Sequence, residues 1–190
     1  RFIYSGVLQQ VSAAEFLDSI GVDIISTSLG YVDFDLPQWD HVYSDLDGET
    51  SVITFGSEIA CSRGILCVTS AGNEGETSFP YISVPADGEN VLTVGAVDKY
   101  GDKASFSSIG PTYDNRIKPD VMAHGYNVTV AATWGNGYAD GSGTSFSCPV
   151  LAGMAACLWQ ANKHLPASAI RDALRQNASE TGNPNNNYGY

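Results

Sequence analysis

The chain has 190 residues, 43% of them hydrophobic, enough for one buried core, so a single domain over residues 1–190 is predicted. Its 21 acidic and 9 basic side chains give a formal net charge of −12. No Lys/Arg cluster is available to neutralise phosphates, which excludes a nucleic-acid binder. The absence of any run of about 18 apolar residues excludes a membrane-spanning helix.

No basic segment followed by an apolar one opens the chain, as a signal peptide would. The first residue is Arg1 rather than Met, so the chain is expected to be processed or cut from something longer. Residues 11–20, "VSAAEFLDSI", carry apolar residues at helical spacing, with Ser12 as a cap and Gly21 as the stop. Residues 22–30, "VDIISTSLG", are β-branched and apolar and predict a buried strand ending in Gly30. Residues 31–50 lack periodicity and read as a long acidic loop. A second helix is expected over 51–63, stopped by Gly64. Three further strands follow in "ILCVTSAGN", "NVLTVGAV" and "YNVTVAAT". Residues 144–161 predict a long apolar helix that begins with "TSFSCP", and 166–176 predict another. The tail from Asn177 is polar and expected to be loosely held. Strands alternating with helices indicate an α/β fold: a doubly wound, mostly parallel sheet in three layers, with helices on both faces. Ligands bind such sheets at the carboxyl ends of the strands, which places "TSLG" and "SAGN" on one rim.

"GSGTSFSCPVLAG", residues 141–153, carries the chemistry. Ser145 precedes an apolar helical run, so its own N–H is one of the donors left unpaired at a helix N-terminus, where the partial charge is positive. That end favours a serine hydroxyl losing its proton to a base, and the N–H can hold the oxygen that turns negative when Ser145 attacks a carbonyl. Pro149 lacks an N–H, which is expected to cost nothing in a first helical turn. Asn73 follows a strand end and Gly72, so its side-chain amide can point into the same rim. A side-chain N–H₂ plus a backbone N–H together make an oxyanion hole. Read alone, Ser145 is a helix cap and Asn73 a turn residue; together they point to acyl transfer.

"STSLG", "SAGNEG", "VLTVGAVD", "ASFSSIGP", "KPDVMAHG" and "GTSFSCPVLAG" occur here in the order seen in subtilases, the subtilisin-like serine peptidases. The chain resembles that family over roughly residues 11–176, and its wording looks more like secreted bacterial members. The resemblance implies a subtilisin-like sheet, incomplete on its N-terminal side. It makes Ser145 the nucleophile of a serine endopeptidase, with Asn73 and the Ser145 N–H as the oxyanion hole. It gives the backbone of Ser28, Leu29 and Gly30 the role of pairing with an extended substrate. Ser70, Ala71 and Gly72 become one wall of the pocket for the residue before the scissile bond. Val84–Pro85 falls where the family has a cis peptide bond.

A serine nucleophile needs a general base and an orienting carboxylate, and in this family they run in the order Asp, His, Ser. Both motifs would lie upstream of "VDIISTSLG". Of the three histidines, His124 reads as part of a structural turn with Asp120. His164 lies at the end of the long helix, where a cation suits the dipole, and His41 sits in the acidic loop. The chain is therefore expected to be the C-terminal portion of a peptidase domain, inactive alone. Its exposed edge would be covered by the N-terminal portion as a companion chain or by self-association. The alternatives are an inactive pseudo-peptidase that binds peptides, and an acid peptidase of sedolisin type, against which Asn73 argues. The resemblance implies a secreted or periplasmic location. No cofactor or metal is expected. Calcium at the acidic loop, where "DLDGE" fails the full calcium-loop spacing, is the weaker reading. Cys61, Cys67, Cys148 and Cys157 are expected to be buried free thiols. Cys148 and Cys157 would face opposite sides of one helix, roughly 13 Å apart along its axis, too far to bridge.

Overall fold

The computed structural model describes residues 5–190; Arg1, on which the expectation of a longer precursor rests, lies outside them. Helix α1 spans Ser5–Ser19 and strand β1 Ile24–Thr27. Helix α2 spans Val52–Ser62, strand β2 Leu66–Ser70 and strand β3 Leu92–Val97. Strand β4 is Val121–His124, strands β5 and β6 are Val128–Ala131 and Tyr138–Gly141, and helices α3 and α4 are Thr144–Ala161 and Ala167–Gln176. Ser12 is inside α1 rather than at its cap, while Gly21 and Gly64 adopt positive φ at the two helix stops.

Strands β1 to β4 form one parallel sheet in the order β1-β2-β3-β4. Register follows from pairs such as Ile24↔Leu66, Val68↔Leu92 and Val94↔Val121. Side chains alternate across it. Leu66, Val68, Leu92, Val94 and Val121 pack under α3 and α4 with Cys148, Leu151, Ala155 and Ile170. Cys67 points the other way, into a cluster with Ala60 of α2, Ile65 and Val91. The result is three layers, α1/α2 over the sheet over α3/α4. A third cluster, with Phe34, Leu46, Ile53, Ile82 and Val84, lies beneath the loop 31–50.

Three expectations are corrected. The strand "VDIISTSLG" is only half-buried, whereas β2 is buried at every position. The reason is position: among the described residues β1 has a sheet partner on one side only. The fourth strand of the sheet is not "YNVTVAAT" but Val121–His124, which places His124 at a strand end. "YNVTVAAT" instead supplies β5 of a separate antiparallel hairpin with β6. The tail is pinned rather than loose. Tyr190 N–H donates to the Asp120 carbonyl at 2.9 Å, Gly110 N–H donates to the Asn186 carbonyl at 3.1 Å, and the Tyr188 hydroxyl accepts from Lys103 N–H.

All four cysteines are free thiols, but Cys61 is only half-buried and Cys157 is exposed, because α3 buries the stripe through Thr144, Ser147, Cys148, Leu151, Ala152 and Ala155. Val84–Pro85 is cis. Among the described residues no helix is long and apolar enough to cross a membrane.

A charged knot fixes β3 to β4 and α4. Lys118 Nζ is 1% exposed and lies 2.8 Å from Asp120 Oδ2, and it also donates to the Val91 carbonyl at 2.9 Å. Asp120 accepts from Thr93 N–H at 2.6 Å and from the Arg175 guanidinium. Burial pushes the Lys118 pKa down, while the Asp120 carboxylate pulls it back up. Removing one partner of a buried pair strands the other's charge. Asp120→Ala should therefore cost about 3–5 kcal/mol of unfolding free energy, read from the urea midpoint. Lys118→Met should cost less, because Arg175 still neutralises Asp120.

Candidate active site

Strands β1 and β2 are parallel neighbours, so their carboxyl ends, "TSLG" and "SAGN", reach the same rim, and the start of α3 lies against both. Gly143 precedes α3 with φ 151°, a left-handed value that glycine tolerates. The helix then opens with Thr144 and Ser145.

Thr144 joins the two segments. Its N–H donates to Asn73 Oδ1 at 2.9 Å and its hydroxyl to the same oxygen at 3.1 Å. The hydroxyl in turn accepts from Gly72 N–H at 3.2 Å. Two donors on one amide oxygen fix the orientation of the carboxamide, so its N–H₂ end faces away from Thr144. Asn73 itself is exposed.

Ser145 is half-buried, and its hydroxyl donates to the Ser28 carbonyl at 3.2 Å. The Ser28 hydroxyl donates back to the Ser145 carbonyl at 2.9 Å. The freedom of that carbonyl corrects the expectation about Pro149. Pro149 lies in the second turn of α3, where its N–H would have bonded the carbonyl four residues back, at Ser145. The missing donor leaves a vacancy, and Ser28 fills it.

Ser145 and Asn73 open onto one groove of about 640 Å³. Ser28, Leu29 and Gly30 line one side, and Ser70 and Gly72 the other. Ala71 does not line it: its side chain is fully buried in the cluster beneath the loop, and its carbonyl accepts from Ser83 N–H at 3.0 Å. Behind the glycines lies Ser83, 4% exposed, whose hydroxyl has no hydrogen-bond partner among the described residues. A Cβ on Gly30 would run into that hydroxyl, and one on Gly72 would stand 3.0 Å from it.

Sequence reasoning assigned His41 to the acidic loop alone; the structure places it, with Val32 and Asp33, in the lining of this groove. Its backbone N–H donates to the Val32 carbonyl at 2.8 Å, and its ring packs edge-on against Phe34. Its Nε2 lies 3.4 Å from Ser51 Oγ and its Nδ1 3.7 Å from Asp45 Oδ2. His124 and His164 do not line the groove, and His164 lies in the turn after α3. Among the described residues no imidazole nitrogen is hydrogen-bonded to the Ser145 hydroxyl. No local signal marks His41, since the path of the loop alone brings it there.

Three of the loop's carboxylates accept from nearby backbone. Asp40 accepts from Phe34 N–H at 2.6 Å and Asp45 from Val42 N–H at 2.9 Å. Asp47 accepts from the N–H groups of Glu49 and Thr50 and from the Thr50 hydroxyl. Burial works against the Asp47 charge, but these hydrogen bonds outweigh it and hold its pKa below the usual value.

The model of the Subtilase family matches residues 4–190. The chain is 33% identical to serine protease AprX of Bacillus subtilis (strain 168), over 81% of this chain and 37% of that protein. It is 34% identical to the thermophilic serine proteinase of Bacillus sp. (strain AK1), over 93% of this chain and 37% of that protein. It thus spans little more than a third of each of these relatives. Among solved structures it resembles the self-cleaved protease domain of PatA, with a TM-score of 0.73 at 27% identity over 92% of this chain and 61% of that one. Matched along almost its whole length, with the strand-end rim and serine-bearing helix described above, the chain belongs to the subtilase family.

Proposed function

We propose that this chain is the serine-bearing portion of a serine endopeptidase. The observation that supports the reading is that Ser145 and Asn73 line one groove at the ends of β1 and β2. In this reading Ser145 Oγ attacks a peptide carbonyl and passes its proton to a base. The carbonyl oxygen becomes an oxyanion held by Asn73 Nδ2 and the Ser145 N–H. Collapse expels the amine and leaves an acyl-serine, which water then hydrolyses.

The base and its orienting carboxylate are assigned to a portion of the protein that precedes this chain and docks along β1. The edge of β1 supports this: among the described residues it has no strand partner on that side and lies between two recesses. One is lined by Val11, Leu17, Ile25 and Ile53, the other by Ile24, Ala156 and Trp159. The extended substrate pairs with the backbone of Ser28–Gly30 as an added strand. Relatives of this family support a secreted protein.

A fluorophosphonate probe applied to the full-length protein should label Ser145, and Ser145→Ala should abolish labelling. An intact, unlabelled protein would favour a peptide-binding pseudo-peptidase. Asn73→Ala should lower kcat about 10²–10³-fold with little change in KM, a magnitude carried over from subtilisin itself. A loss confined to KM would remove Asn73 from the oxyanion hole.

A further inference from the structure

Ser28 enters the foregoing reading only through its backbone, yet its hydroxyl makes a contact that substrate pairing does not require. An α-helix leaves its first N–H groups and last carbonyls unpaired, but not a carbonyl in its first turn, which normally accepts from four residues on. In α3 that rule fails at the Ser145 carbonyl, because residue 149 is proline. The orphaned oxygen lies beside the end of β1, and the Ser28 hydroxyl donates to it at 2.9 Å. Ser145 Oγ donates to the Ser28 carbonyl at 3.2 Å, so the two serines are joined by two hydrogen bonds of opposite sense.

A second anchor lies one turn further along the same face of α3. Cys148 is fully buried and its thiol sits 3.4 Å from the Val68 carbonyl and 3.5 Å from that of Thr27. It docks α3 onto β1 and β2 beyond the turn that bears Ser145. The Asn73–Thr144 bonds hold that turn on the β2 side. On the β1 side the described hydrogen bonds to the turn are those of Ser28.

We propose that the Ser28 hydroxyl is a positioning residue for the nucleophile, occupying the hydrogen-bond vacancy that Pro149 opens at the Ser145 carbonyl. The inference rests on the peptidase reading above. A proline in the second turn lets the serine-bearing turn be clamped from outside the helix. The clamp belongs to the strand whose backbone would receive the substrate, so the nucleophile and the bound peptide share one reference point. A small misplacement of the attacking atom is costly in such a site, because near-attack geometry is strict.

The test is a double-mutant cycle in the full-length protein, read by the rate of fluorophosphonate labelling and by kcat and KM on a peptide substrate. Ser28→Ala should slow labelling and lower kcat about tenfold, the worth of one hydrogen bond, with KM nearly unchanged. Ser28→Thr, which keeps the hydroxyl, should restore most of the rate. Pro149→Ala returns an N–H to the helix, and in that background Ser28→Ala should cost far less than in the wild type. Additive losses, a loss confined to KM, or no rescue by threonine would overturn the inference. Wild-type labelling that Ser28→Ala leaves unslowed overturns it alone. An unlabelled wild type overturns the peptidase reading and this inference together.

Discussion

The geometry of the site depends on one carboxamide held by its oxygen. An amide has an accepting end and a donating end, and Thr144 occupies the accepting end of Asn73 with both an N–H and a hydroxyl. The donating end is thereby turned outward without any ligand to hold it there. This bond pair also splices the end of β2 to the start of α3, segments 71 residues apart in sequence. Electrostatic stabilisation is most effective when donors are oriented before charge develops, since no reorganisation is then needed. The sheet supplies the rigidity: β2 is buried along its whole length, and its outer neighbours are fixed by packing under α3 and by the Lys118–Asp120–Arg175 knot.

Much of this was readable from local pattern. Helix α3 begins and ends at the predicted residues because a glycine-rich entry meets a continuous apolar run. Strands β2 and β3 announce themselves as β-branched segments, and the rim follows from their being parallel. The missed features are those whose causes are non-local. Val121–His124 offers only a short apolar run after "KPD", a pattern that suits a turn as well as a strand, and only its pairing with β3 decides the matter. The half-burial of β1 depends on what lies beside it, not on its own composition. The tail is polar by composition yet anchored by Tyr188 and Tyr190 to residues far away in sequence.

The acidic loop shows the same division. Several of its carboxylates serve as acceptors for backbone N–H groups, which an irregular segment must satisfy without a ladder. The loop covers an apolar cluster built on Phe34 and Leu46, both fully buried. Its acidity and its order therefore have a common origin, and its course delivers Asp33 and His41 to the groove.

The packing of Gly30 against Ser83 has an evolutionary corollary. The side chain at 83 fills the space that any side chain at 30 would need, so the two positions form a single steric unit despite their separation in sequence. Among relatives, bulk should be traded between them: descendants that acquire alanine at 30 should carry glycine at 83, and intermediates holding both side chains should be rare. The depth of this end of the groove would then drift in paired steps, with each lineage's history written jointly in two codons.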